Sequence, residues 1–163
     1  MNGISIVLRA LYDGERELER QLLAAADHHR AEPEFRHVAK DIARWSHEHA
    51  ERIARAAASR DLRLPGPMGP PEPGPLETMR ETLGGAVGRQ PAPGLLLLRD
   101  LRDLHLAATE NSLSWEMLAQ VAQAAKDTGL LDIAAACHPQ TLRQLRWTNT
   151  MIKTLSPQLL TSL

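Results

Sequence analysis

The chain has 163 residues, a formal net charge of −1 and one cysteine. This length suits a single domain, residues 1–163, with its own hydrophobic core. The near-zero charge argues against a nucleic-acid-binding protein, and a lone Cys137 excludes an internal disulfide. No apolar run approaches the ~18 residues of a membrane span, and no secretion signal is evident. We therefore expect a cytoplasmic protein that binds neither nucleic acid nor membrane.

The first third of the sequence predicts two long helices. Apolar residues recur every three or four positions over residues 4–30 and again over residues 33–60. Pro33 suits the first turn of the second helix. Because only a short turn separates the two helices, they should form an antiparallel hairpin.

Residues 61–94 are rich in proline and glycine and predict a linker that crosses between two helical hairpins. Within it, residues 76–83 permit a short helix. The linker is long enough to run from one end of a ~40 Å bundle to the other. The helix that follows can therefore lie parallel to the second one.

Two further helices are predicted over residues 95–127 and 130–155. We expect Gly129 to end the first of these as its C′ residue, and Pro139 to kink the second or mark its start. Ser156 and Pro157 should end that last helix. The predicted fold is all-α: an antiparallel four-helix bundle with a long crossover between the second and third helices.

Three polar residues interrupt apolar stripes at similar predicted depths. On its stripe, each lies four residues after an apolar one: Glu15 after Leu11, His49 after Trp45, and Glu110 after Leu106. Buried polar groups cost several kcal/mol, as an order of magnitude, unless they are paired or liganded. One interpretation is a mononuclear metal site for a single Fe, Mn or Zn ion. The other, which we favour, is a polar network in which His49 bonds to both carboxylates.

The helix layout and the run GLLDIA at residues 129–134 resemble the ferritin-like superfamily. The resemblance implies a di-metal site with Glu in the first and third helices and Glu-x-x-His in the second and fourth. Glu15, His49 and Glu110 match that pattern, whereas Ser46, Gln144 and Trp147 stand where three other ligands belong. Both bridging carboxylates are thereby replaced, which implies a degenerate di-metal site.

These features favour a non-enzymatic scaffold or protein-interaction role, without catalytic or cofactor-binding residues and with no cofactor expected. The alternative is a metal-binding protein or oxidoreductase with one metal ion at Glu15, His49 and Glu110. A hemerythrin-like carrier is disfavoured because its histidine spacing is absent. The partner should be a second copy of the chain or another protein, and the apolar run at residues 95–98 is a candidate interface.

Overall fold

The computed structural model describes residues 2–64 and 92–163. They form four helices: α1 (Gly3–His28), α2 (Pro33–Ala58), α3 (Pro93–Ala124) and α4 (Thr128–Leu160). Neither described range contains a strand. The predicted all-α four-helix bundle is therefore confirmed. Most of the predicted linker at residues 61–94, including the short helix permitted over residues 76–83, lies outside the described residues.

Neighbouring helices in the bundle run antiparallel. Glu15 of α1 contacts His49 of α2 near the middle of both helices. Glu15 also contacts Trp115 of α3, while His29 beyond the end of α1 contacts Asp100 near the start of α3. Because α1 opposes both α2 and α3, the latter two are parallel, as predicted. The end of α2 and the start of α3 consequently lie at opposite ends of the bundle.

The α3–α4 turn differs from the prediction. Lys126, and not Gly129, adopts the left-handed conformation that ends α3, with φ 56°. The Lys126 N–H donates to the Gln123 carbonyl at 3.1 Å and the Asp127 N–H to the Ala122 carbonyl at 2.9 Å. This pair of bonds is the Schellman pattern, in which the left-handed residue is C′. Gly129 lies in the first turn of α4, so its predicted role is wrong.

Two prolines lie inside α4, which runs through both of them. Proline removes the hydrogen bond to the carbonyl four residues earlier. Those carbonyls belong to Ala135 and Lys153, which are exposed and accessible to water. Hence Pro139 does not start the helix, and the predicted end near residues 155–157 is too early.

Within residues 2–64 and 92–163, the buried apolar residues form two clusters, one towards each end of the bundle. Along α1, for example, Leu8 and Leu11 belong to one cluster, and Leu18 and Leu22 to the other. The break comes near the middle of each helix, where the buried residues are polar. We call this set the polar layer: Glu15, Ser46, His49, Asn111, Ser112, Thr141, Gln144 and Thr148.

Candidate functional site: the polar layer

Glu15 and His49 lie at the centre of the polar layer, as the sequence predicts. Their exposed fractions are 0% and 1%. Each follows the helical spacing of the apolar residues around it, so the fold of α1 and α2 carries both side chains inward. Their predicted common depth is confirmed, because the Glu15 Oε1 to His49 Nδ1 distance is 3.2 Å.

The Glu15 carboxylate is held by two of the protein's own side chains. The Trp115 Nε1–H donates to Glu15 Oε1 at 2.9 Å, and the Trp115 ring meets the His49 ring edge-on. On its other side, His49 Nε2 is 2.7 Å from Gln140 Oε1. Both ring nitrogens of His49 thus have polar partners. A doubly protonated ring satisfies both contacts, as does a neutral ring that accepts from the Gln140 amide.

Ser46 and Gln144 form the second part of the polar layer. Gln144 Nε2 donates to Ser46 Oγ at 2.9 Å and to the Ile42 carbonyl at 3.0 Å. Both side chains are almost completely buried. Their hydrogen bond crosses the α2–α4 interface. The two residues occupy the positions where the resemblance places bridging carboxylates.

Four buried polar atoms in the layer have no hydrogen-bond partner among the described residues: Glu15 Oε2, Asn111 Nδ2, Thr141 Oγ1 and Gln144 Oε1. Leaving such an atom unpaired costs about 1–3 kcal/mol. Three of the four are oxygens, which are also the atoms that bind cations. The polar layer is therefore incompletely satisfied by the chain's own groups.

Glu110 does not belong to the layer. It is exposed, and so are Leu106, Leu113 and Met117, which share its side of α3. The prediction that Glu110 faces the core is wrong, because α3 carries apolar residues on two faces and Glu110 lies on the outer one. The neighbouring Asn111 occupies the core position instead, with an exposed fraction of 4%.

Asn111, Thr141 and Ser112 are core residues that the sequence prediction missed. The signal for Asn111 was present, because it continues the unbroken spacing of Leu104, Ala108 and Trp115 along α3. Ser112 bonds to His138 of α4 at 2.8 Å, which joins α3 to α4 beside the layer. Short polar side chains on a core face are weak sequence signals, since these residue types lie mostly on the surface.

A second Glu–His pair lies closer to the surface between α1 and α2. Glu19 Oε1 is 3.0 Å from His47 Nδ1, and Arg16 bonds to the other carboxylate oxygen at 2.9 Å. Glu19 is 5% exposed, whereas the His47 side chain is 35% exposed. The pair resembles Glu15–His49 in chemistry but has access to solvent.

The ligands that the resemblance implies for two metal ions are not all present. Ser46 and Gln144 bond to each other, and the Trp147 ring stacks on Phe35 at 5.4 Å. In the described ranges, no group of three or more His, Cys, Asp or Glu side chains has the geometry to hold a metal ion. The residues therefore do not fit a dinuclear centre, whose charge needs several carboxylates.

A buried thiol and a group of arginines lie towards the Arg60 end of the bundle. Burial raises the pKa of the Cys137 thiol to about 12, so it is not a nucleophile near neutral pH. Arg52, Arg55 and Arg60 line an open depression of about 560 Å³. Arg60 is already bound to Asp127, with a shortest contact of 2.7 Å, which leaves two exposed arginines there.

Within the described residues, no helix is both long and apolar enough to cross a membrane. Comparison with known proteins does not identify a family for the bundle. The chain matches no protein-family model, no curated protein and no solved structure.

Proposed function

We propose that this chain is a non-enzymatic scaffold or protein-interaction module. In this proposal it is a ferritin-like bundle in which a hydrogen-bonded polar layer replaces the di-metal centre. The observation that carries the proposal is the environment of Glu15, whose Oε1 is held by Trp115 and His49. Protein donors thus occupy one oxygen of the acid that a metal ion would otherwise use.

The arrangement of the helices supports the ferritin-like part of the proposal. A long connection that leaves α2 and α3 parallel is characteristic of that fold, in which each hairpin contributes half of the core. Replacement of both bridging carboxylates supports the loss of the metals, since two cations need those charges nearby. We further propose a cytoplasmic location, because the single cysteine is a buried thiol.

A second candidate function is metal binding, either in a metal-handling protein or in an oxidoreductase with a mononuclear site. It is favoured by the unpartnered Glu15 Oε2, Thr141 Oγ1 and Gln144 Oε1. In that case Glu15 and His49 would hold one Fe, Mn or Zn ion, without the exposed Glu110. The ion would have to displace hydrogen bonds that the described residues already make.

Elemental analysis of protein purified without added metal tests the two candidates. The scaffold proposal expects far less than one ion per chain, and a thermal midpoint that neither a chelator nor added Fe, Mn or Zn changes. The matched variants are Glu15→Gln and Glu19→Gln, which remove the same charge from the buried and the outer Glu–His pair. One ion per chain that is lost in Glu15→Gln but kept in Glu19→Gln would overturn the scaffold proposal.

A further inference from the structure

The outer face of α3 carries a row of exposed apolar residues. Leu106, Leu113 and Met117 are 51%, 59% and 54% exposed. They lie at helical spacing on the side opposite the core, where Leu113 and Met117 are adjacent and the exposed Glu110 separates them from Leu106. Polar exposed positions extend the strip at both ends. We call this set the α3 ridge: Arg99, Arg102, Leu106, Glu110, Leu113, Met117 and Gln120.

An exposed apolar strip of this kind marks an interaction surface. We propose that the α3 ridge binds a second copy of this chain, with the two α3 helices antiparallel about a twofold axis. This inference rests on the protein-interaction role proposed above and names its partner. It also replaces the predicted interface at residues 95–98, because Leu97 is buried and its neighbours in that run are half-buried.

Charges beside the ridge fit a second copy. Arg102 has a side chain that is 73% exposed, and among the described residues it is within ion-pair distance only of the adjacent Asp103, at 3.8 Å. Glu116 is exposed and has no ion-pair partner among the described residues. An ideal helix places Arg102 and Glu116 on the same flank, towards α4, about 21 Å apart along the axis. In an antiparallel twofold pair, each flank meets the same flank of the partner.

The apolar and charged pairs select the same alignment. When Leu106 faces Leu113 of the partner subunit, the twofold axis passes midway between these positions, between residues 109 and 110. For the pair of Arg102 and Glu116, the midpoint is residue 109. One antiparallel register therefore brings the leucines into contact and forms two symmetry-related ion pairs. It also places Glu110 close to its own copy near the axis.

The interface is a single pair of helices over about 32 Å, which is at the small end of stable protein interfaces. We therefore expect a dimer whose population depends on protein concentration. Sedimentation equilibrium over a range of concentrations gives the dissociation constant, Kd. Circular dichroism confirms that each variant remains folded, as expected for changes at exposed positions.

The ion pair is tested by charge reversal. Arg102→Glu and Glu116→Arg should each raise Kd about tenfold, because each places like charges opposite one another twice in the dimer. The double variant should return Kd to near the wild-type value. Arg36→Glu, an exposed reversal on α2, is the matched control and should leave Kd unchanged.

The apolar strip and the axis give two more tests. Leu113→Ser should abolish dimerisation, whereas Ile6→Ser, at an equally exposed apolar residue of α1, should not. Glu110→Gln should lower Kd, since it removes a repulsion across the axis.

Wild-type protein that stays monomeric at every concentration would overturn the dimer. So would single reversals without effect, or a double variant that stays as weak as either single. If the wild-type protein is monomeric and Leu113→Ser lowers its free energy of unfolding, the ridge is covered within one chain. These results leave the elemental analysis of the polar layer unaffected, so the two proposals can fail separately.

Discussion

At the scale of single residues, His49 is the group on which the buried carboxylate depends. Replacing it with alanine leaves Trp115 as the one hydrogen-bond donor to Glu15 among the described residues, and it opens a space in the core. We expect His49→Ala to lower the free energy of unfolding by roughly 1–3 kcal/mol, measured by urea denaturation. His47→Ala is the control, because the His47 side chain is 35% exposed, and water can replace it beside Glu19.

A loss in His49→Ala no larger than that in His47→Ala would contradict this assignment. It would mean that Glu15 is stable in the core without the imidazole. The distinction is between a structural acid–histidine pair and two polar groups that happen to be neighbours.

Gly14 allows Asn111 to approach α1 closely. A Cβ built at Gly14 would lie 2.2 Å from Asn111 Oδ1, too close unless the buried amide moves. Gly14→Ala should therefore destabilise the protein, although alanine is the better helix former. In an Asn111→Ala background, the same change should stabilise it by roughly 1 kcal/mol. A double-mutant cycle measures the difference, and equal effects in both backgrounds would refute the contact.

Only part of the polar layer could be predicted from sequence. Glu15 and His49 each interrupt a single clear apolar stripe, so their inward direction followed from spacing alone. On α3, consecutive residues point about 100° apart, and Glu110 and Asn111 each continue an apolar row. The choice between the two rows depends on which face meets α1 and α4, and that is set by tertiary packing.

At the scale of the helices, the end of α3 gives a sharp test. Lys126 has a left-handed conformation, which strains a residue with a Cβ. Lys126→Gly should raise the free energy of unfolding by about 1 kcal/mol. Gly129→Ala should not be destabilising, because Gly129 is helical and a Cβ added there would be 3.5 Å from the closest side-chain atoms, those of Arg60 and Asp127. A large fall in the free energy of unfolding of Gly129→Ala would contradict this assignment and indicate that Gly129 is the C′ residue.

The existence of four helices was predictable, but their ends were less so. Long 3.6-residue periodicity identifies a helix, while its last turn depends on local bonds that sequence encodes weakly. α4 is the clearest case: proline usually ends a helix, yet α4 continues past Pro157 to Leu160. The carbonyl that Pro157 leaves unbonded belongs to the exposed Lys153, so the cost is small.

At the scale of the whole molecule, two aspartates link helices at opposite ends of the bundle. Burial alone would raise the pKa of Asp100, but hydrogen bonds from His29 and Arg99 outweigh it and lower the pKa below its ordinary 3.8. Hydrogen bonds from Arg60 chiefly lower the pKa of Asp127 below the same value. A lowered pKa in the folded state stabilises the fold above the unfolded-state value.

That stabilisation is lost as the pH falls through the folded-state pKa values, because both carboxylates must then be protonated. We expect the free energy of unfolding to fall between about pH 5 and about pH 2, measured by urea denaturation. Asp100→Asn and Asp127→Asn should each flatten the decline, because an amide does not titrate in this range. An unchanged slope in both variants would show that other carboxyl groups control acid unfolding.

The division of the apolar core by the polar layer has a consequence for energetic coupling. Leu11 and Leu22 belong to different clusters and lie about 16 Å apart along α1, with Glu15 between them. Mutational effects at that separation, without a shared contact, combine additively to within about 0.5 kcal/mol. Leu11→Ala and Leu22→Ala should therefore show almost no coupling energy, whereas Leu11→Ala and Ile53→Ala, within one cluster, should show a measurable one. Each end of the bundle can thus accept new core residues with little compensation at the other.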